Sequence, residues 1–192
     1  MNNPTAHRNV SGAKGFTLVE VLVVVAIMGI LSAMGVAGLQ GAVENNRVKD
    51  AALNTAAFLE RVASDANRRS ETLCLKKSGD RRIEVYIGDD CSKPTGDPVD
   101  HMDLDPPLTF VTDNPFDFTN AFECASCDVN WLGGAGVFTP RLGLSAAPIA
   151  GFVAAQYGTS QHYAIALKSP TKNKIDALDG DKEDGGFDYN EL

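Results

Sequence analysis

The C-terminal segment carries carboxylates at a spacing that could bind calcium. An EF-hand loop supplies oxygen ligands from alternate early positions, followed by a glycine, a hydrophobic residue and a bidentate glutamate. Residues 179–192 follow that order with one extra residue, and the sequence predicts an EF-hand-like tail. Its metal ligands would be Asp179, Asp181, Asp184 and Glu191, with Gly185 at the turn and Phe187 as the hydrophobic residue. A solvated acidic tail is the alternative, because the extra residue shifts the register.

Four cysteines could form disulfides, hold a metal or act in redox chemistry. Cys74 lies in one strand of a predicted hairpin and Cys91 just beyond the other, and Cys124 and Cys127 form a CxxC pair. No second CxxC and no βαβ pattern supports a zinc or thioredoxin-like site. We therefore predict structural disulfides. Four cysteines allow three pairings; a Cys74–Cys91 bridge is geometrically plausible and would leave Cys124 and Cys127 to close a small loop.

Other reactive patterns are sparse. The sequence contains no nucleophile elbow, phosphate loop or two-histidine metal motif, so we predict a protein that is not an enzyme and requires no cofactor. His101 and His162 are isolated and are interpreted as surface or packing residues. Lys168, Lys172 and Lys174 could form a small DNA-contacting patch. The formal net charge of -8 opposes nonspecific binding to phosphate backbones.

One acidic residue lies inside a long apolar run. Glu20 is the only charged residue between Phe16 and Leu39. As a helix this run would span roughly 36 Å, more than the ~30 Å hydrocarbon core of a bilayer. An ionised carboxylate costs on the order of 2.5 to 3.5 kcal/mol near the bilayer centre and less near the interface, so Glu20 needs a partner. Cleavage between Gly15 and Phe16 would create an α-amino group about one helical turn away.

This region resembles the class III signal sequence of type IV pilins and type II secretion pseudopilins. The resemblance is carried by KGFTLVEVLVVVAIMGIL, which begins at Lys14. It implies that a prepilin peptidase cuts between Gly15 and Phe16, that Phe16 is then N-methylated, and that Glu20 guides each subunit into a filament. Because Arg8 and Lys14 precede the apolar run, we expect a cytoplasmic N-terminus, an inner-membrane anchor and a periplasmic head before assembly.

The predicted fold class is α+β, with a long N-terminal helix packed against an antiparallel β-sheet or β-sandwich head. The helix has a membrane-spanning half and an amphipathic half. In the amphipathic half, small and apolar residues recur every three or four positions from Val48 to Ala66. The predicted parts are a leader at 1–15, a hydrophobic helix at 16–41, an amphipathic helix at 42–70, a β head at 71–178 and the acidic tail at 179–192.

The strand pattern in the head is clear only in places. A hairpin is predicted from 72–77 and 81–88, because apolar residues alternate with polar ones around a Ser-Gly-Asp turn. Residues 89–107 are rich in proline and aspartate and are predicted to be a loop. Short strands are predicted at 108–111, 129–132 and 136–140, and a late hairpin at 161–169 and 173–178.

This order of parts is similar to the FimT-like and H-type minor pseudopilin group. The resemblance implies a structural subunit that assembles through its helix into a type IV pilus or a type II secretion pseudopilus, at the tip or in a priming complex. Its expected partners are other pilin or pseudopilin subunits, the prepilin peptidase and methyltransferase, and the inner-membrane assembly platform. The alternative is a binding module displayed on the pilus, either a DNA receptor or an adhesin.

Overall fold

A computed structural model describes most of the chain after the leader. The described residues are 15–113, 115, 116, 118, 122, 124, 126–140, 150–172, 174–183 and 186–192. The predicted leader, apart from Gly15, and the predicted calcium ligand Asp184 lie outside them. The chain divides into two compact units, Met1–Ala42 and Val43–Leu192.

A single helix, α1, runs from Leu18 to Arg69. Its N-terminus is capped by Thr17, whose hydroxyl oxygen accepts a hydrogen bond from the Glu20 amide at 3.2 Å. In the second unit the residues of α1 at the predicted spacing are buried, including Val48, Leu59 and Val62. The periodicity therefore predicted the face of α1 that packs in the head.

In the described part of the chain, nine strands and one 3-10 turn follow α1. They are β1 (Leu73–Ser78), β2 (Arg82–Ile87), β3 (Asp100–Asp103), β4 (Leu108–Val111), the 3-10 turn η1 (Trp131–Gly133), β5 (Val137–Phe138), β6 (Gly151–Tyr157), β7 (His162–Lys168), β8 (Asp176–Glu183) and β9 (Gly186–Glu191). One sheet has the order β3-β2-β1-β5 and the other the order β4-β6-β7-β8-β9. Every pairing of these strands is antiparallel. The α+β class and the antiparallel head are thus confirmed.

The main core lies between α1 and both sheets. The residues of the second sheet that face this core include several with small side chains, namely Ala155, Ala164, Ala166 and Ala177. The other face of this sheet carries large ones, because successive strand residues point to opposite sides. Phe116, Phe118, Phe152, Tyr163, Phe187 and Tyr189 form an aromatic cluster there. The second sheet is therefore covered on both faces.

Several elements differ from the sequence predictions. Strand β3 lies inside the predicted loop 89–107, and β6 was not predicted at all. The predicted strand 129–132 is mostly η1, and only Asn130 forms an isolated bridge, to Phe152. The described residues of the predicted acidic tail lie in two paired strands, which is neither the EF-hand-like loop nor the solvated tail that the sequence predicted. They form the hairpin β8–β9, because Phe187 and Tyr189 pack into the aromatic cluster.

Candidate functional site

The apolar segment of α1 is exposed along its whole length. Phe16 is 84% exposed, and the large hydrophobic side chains from Leu18 to Leu39 are all exposed. By length and composition α1 contains a segment that could cross a membrane. Burial of such a surface is favourable at ~25 cal/mol per Å² of apolar area, so a lipid phase or other apolar helices would stabilise it.

The predicted cleavage bond lies just before this helix. Gly15, Phe16 and Thr17 have no regular structure, and α1 begins at Leu18. Gly15 and Phe16 are exposed, and an added side-chain atom at Gly15 would meet nothing within 4 Å. The bond between Gly15 and Phe16 is therefore accessible to a peptidase without unwinding α1.

Glu20 is the acidic residue in the first turn of α1. Its side chain is exposed, and among the described residues its carboxylate forms no ion pair and no hydrogen bond. A carboxylate in this apolar segment requires a cation from outside the described chain once water is removed. The α-amino group that cleavage would create at Phe16, on the same or a neighbouring chain, has the required charge.

The three predicted calcium ligands that the structure describes, Asp179, Asp181 and Glu191, do not converge on one point. Asp179 and Asp181 lie on the face of β8 that points toward α1, whereas Glu191 pairs with Leu178 and lies on the opposite face. The Glu191 carboxylate instead contacts the Lys172 ammonium at 3.1 Å. Among the described residues no group of three or more histidine, cysteine or acidic side chains is placed to hold a metal. Calcium binding by this chain stays a prediction.

Asp179 and Asp181 belong instead to a charged cluster between α1 and the second sheet. We call it the junction cluster: Glu44, Lys49, His162, Asp179 and Asp181. The His162 ring lies between two carboxylates, with Nδ1 in contact with Asp181 Oδ1 and Nε2 3.8 Å from Glu44 Oε1. The Lys49 ammonium lies 3.7 Å from Asp179 Oδ2. The cluster connects the first head turns of α1 to β7 and β8 through side-chain contacts.

Asp179 is the most buried member of the junction cluster. Its residue is 4% exposed, and its Oδ1 atom is buried without a hydrogen-bond partner among the described residues. Burial raises the pKa of this carboxyl, and the neighbouring Asp181 raises it further, while Lys49 opposes both effects. Sequence reasoning did not connect these residues, because the pairing of His162 with Asp181 depends on the register of β7 and β8.

The three predicted DNA-contacting lysines do not form an open cationic patch. Lys168 is fully buried, and its ammonium donates to the backbone carbonyls of Ser169 and Lys172. The Lys172 and Lys174 ammonium groups contact Asp176 at 2.7 and 2.9 Å. Lys172 and Lys174 are paired with a carboxylate and Lys168 is buried, so the structure does not favour DNA contact at these positions.

The four cysteines lie in two places. Cys124 and Cys127 form a disulfide, which lies against the aromatic cluster. Cys74 and Cys91 are buried free thiols in this structure, although their side chains are in hydrogen-bond contact. Burial raises the pKa of the Cys91 thiol to about 12, and the contact with Cys74 adds to the shift. The predicted bridge between Cys74 and Cys91 is therefore not formed here and stays a prediction.

A groove of about 800 Å³, lined by both polar and apolar residues, runs between α1 and residues 101–108. Its two arginines are already engaged, because Arg47 donates to the Pro106 carbonyl and Arg61 to the Asp100 carboxylate, at 3.2 and 2.8 Å. The described lining residues include no cysteine, serine or threonine nucleophile. The lining also includes His101 and the carboxylates of Asp50, Asp103 and Asp105.

Comparison with known proteins identifies the N-terminal segment. Residues 10–36 match the family model described as the prokaryotic N-terminal methylation motif. This match covers 27 of the 192 residues and supports a type IV pilin-like N-terminal segment, as found in pilin and pseudopilin subunits. It implies processing by a prepilin peptidase, assembly with other pilin subunits, and inner-membrane anchoring before assembly. No curated protein and no solved structure matched the chain.

Proposed function

We propose that this chain is a minor pilin or pseudopilin that enters a type IV pilus or type II secretion pseudopilus through its N-terminal helix, at the tip or in a priming complex. The observation that carries the proposal is Glu20, a carboxylate with no partner among the described residues, in an exposed apolar helix that matches the methylation motif. The order of parts in the head, which resembles the FimT-like and H-type group, supports the minor subgroup.

The mechanism follows from the cost of placing charge in an apolar phase. In the bilayer, Glu20 lies close to the end of the apolar helix, where its charge is tolerated best. In a filament core, the Phe16 amine of a neighbouring helix would neutralise it, and a chain inserted at the wrong axial position would leave both charges unpaired. The pair therefore selects the correct register while the apolar surface supplies most of the stabilisation.

The test compares the wild-type chain with Glu20→Ala and Glu20→Gln in the native host. Loss of one ion pair worth ~1.4 kcal/mol should reduce incorporation into sheared filaments about tenfold, because that free energy corresponds to a factor of ten. Membrane insertion, measured by carbonate extraction, and cleavage before Phe16, measured by mass spectrometry, should be unchanged. Glu71→Ala is the matched control, because Glu71 is exposed and lies after the end of α1.

Incorporation of both Glu20 variants at the wild-type level would contradict this mechanism. The minor role has a separate test: immunogold labelling should appear at filament ends or at low abundance. Labelling along whole filaments would show a major subunit instead.

A further inference from the structure

The ring of His162 lies between carboxylates from two different elements. Its Nδ1 atom is in contact with Asp181 Oδ1 on β8, and its Nε2 atom lies 3.8 Å from Glu44 Oε1 on α1. A neutral imidazole has one N–H group and one unshared electron pair, whereas the protonated ring has two N–H groups. Only the protonated ring can therefore present a proton to both carboxylates.

The two carboxylate oxygens that face this ring are not compensated elsewhere. Glu44 Oε1 and Asp181 Oδ1 are both buried, and neither has a hydrogen-bond partner among the described residues. An ionised carboxylate that is removed from water requires an opposite charge nearby. The positive charge of a protonated ring would compensate both carboxylates at once.

The other titratable groups around this ring come from α1 and from the strands on either side of β7. Lys49 of α1 lies 3.7 Å from Asp179 of β8, whose pKa is raised by burial and then by Asp181. Asp188 of β9 lies across from Asp181 and is exposed, and Tyr157 at the end of β6 packs against the main core. These described surroundings contain more carboxylates than cations, which favours the cationic form of an imidazole.

We propose that the junction cluster is a pH-sensitive latch, in which protonated His162 joins Glu44 of α1 to Asp181 of β8 and fastens the first head turns of α1 to the second sheet. The pairing of β7 with β8 places His162 directly across from Asp181, so the sheet fixes one side of the latch. Helix α1 provides the other side, close to the residue at which the second unit begins. The latch belongs to the head alone, so its test is independent of the proposed function.

The latch should weaken as the pH rises. An imidazole ordinarily titrates near about pH 6.5 and a carboxyl group near about pH 4. A fold that prefers the protonated ring loses that stabilisation as the pH rises and regains it as the pH falls. The first head turns of α1 should therefore open more often at pH 8 than at pH 5.5. Asp179 also binds a proton more readily as the pH falls, so variants of His162 are needed to test the ring itself.

The experiment measures amide hydrogen exchange of the full chain in a non-ionic detergent with EDTA, at about pH 5.5 and about pH 8. Protection factors correct for the intrinsic pH dependence of exchange and report local opening. For amides 48–52 of α1 they should fall ~5-fold at the higher pH, which corresponds to ~1 kcal/mol, the upper value for a pair of partly exposed charges. Amides 59–63 lie about three turns farther along α1 and should not change.

Histidine variants separate the ring from general effects of pH. His162→Gln cannot be protonated, so amides 48–52 should show the low protection of the wild type at pH 8 at both pH values. His101→Gln is the matched control, because His101 is an exposed histidine of β3 whose Nε2 atom lies 3.8 Å from the Asp103 carboxylate. This control should keep the full response of the wild type. Glu44→Gln removes one of the two carboxylates and should reduce the response to ~2-fold.

A second readout needs no variant. NMR shifts of the ring nitrogens show whether both carry a proton, and loss of one proton from His162 should coincide with the loss of protection in α1. The proposal is overturned if the protection of amides 48–52 is equal at both pH values, or if it falls while the ring keeps both protons. It is also overturned if His162→Gln responds to pH as the wild type does, or if His101→Gln abolishes the response.

Discussion

Replacement of Asp179 by asparagine should stabilise the head at neutral pH. The carboxylate is buried, one of its oxygens lacks a partner among the described residues, and burial and Asp181 raise its pKa. A buried group left unsatisfied costs ~1 to 3 kcal/mol. Lys49, the lysine in contact with it among the described residues, has a side chain that is 42% exposed and lies 3.7 Å away, and such a pair is worth ~1 kcal/mol at most. The net expectation is a gain of ~1 kcal/mol in the free energy of unfolding.

The gain should depend on pH in one direction. Because the pKa of Asp179 is raised in the folded state, the native protein binds more protons than the unfolded chain between the two pKa values. The wild-type protein therefore loses stability from this group as pH rises through that window and regains it as pH falls. Asparagine does not titrate, so the advantage of Asp179→Asn should shrink as pH is lowered from 7.

Urea unfolding followed by tryptophan fluorescence measures this effect directly. Trp131 is the only tryptophan in the chain and is fully buried in the head, so its signal reports on the second unit. Asp188→Asn is the matched control, because Asp188 is an exposed residue of β9 opposite Asp181. Lys49→Met should destabilise the wild type more than it destabilises the Asp179→Asn chain.

The reasoning would be refuted if Asp179→Asn were less stable than the wild type at pH 7. It would also be refuted if the difference between the two chains stayed constant as the pH fell, because a constant difference would show that Asp179 does not titrate as argued.

Two further predictions concern the cysteines and calcium. In protein taken from its native oxidising compartment, Cys74 and Cys91 should be joined by a disulfide. Mass mapping should then show the cysteine pair 2 hydrogens lighter than two thiols. Alkylation of both cysteines after unfolding without reductant would exclude the bridge. Because the pKa of Cys91 is raised to about 12, oxidation by glutathione alone should be slow at neutral pH. If Asp179 and Asp181 bind calcium, calorimetry should give a heat with the wild type that is lost in Asp181→Asn, whereas no heat with the wild type would end the hypothesis.

Sequence patterns predicted the helix and strands whose formation depends on residues close together in the chain. The buried face of α1 follows a helical period, and the hairpin of β1 and β2 alternates around a turn containing Gly79, whose φ is +73°. Strand β6 gave no such signal, because Phe152 and Ala154 face the aromatic cluster while Val153 and Ala155 face α1. A strand that is buried on both faces reads as a continuous apolar run without alternation.

The same distinction separates the two candidate sites. Glu20 could be identified from sequence because its significance depends on its own neighbours in the chain, an apolar run and a cleavable glycine bond. The junction cluster could not, because Glu44 and His162 are far apart in sequence and meet only when β7 and β8 pair in one register and pack against α1. The acidic spacing of Asp179 and Asp181 was real, but a strand places both on one face, and their neighbours across the sheet, not those along the chain, determine their chemistry. A carboxylate-rich stretch therefore predicts a metal-binding loop only when it has no aromatic side chains that can pack in a core. Here Phe187 and Tyr189 pack in the aromatic cluster, and the stretch forms paired strands.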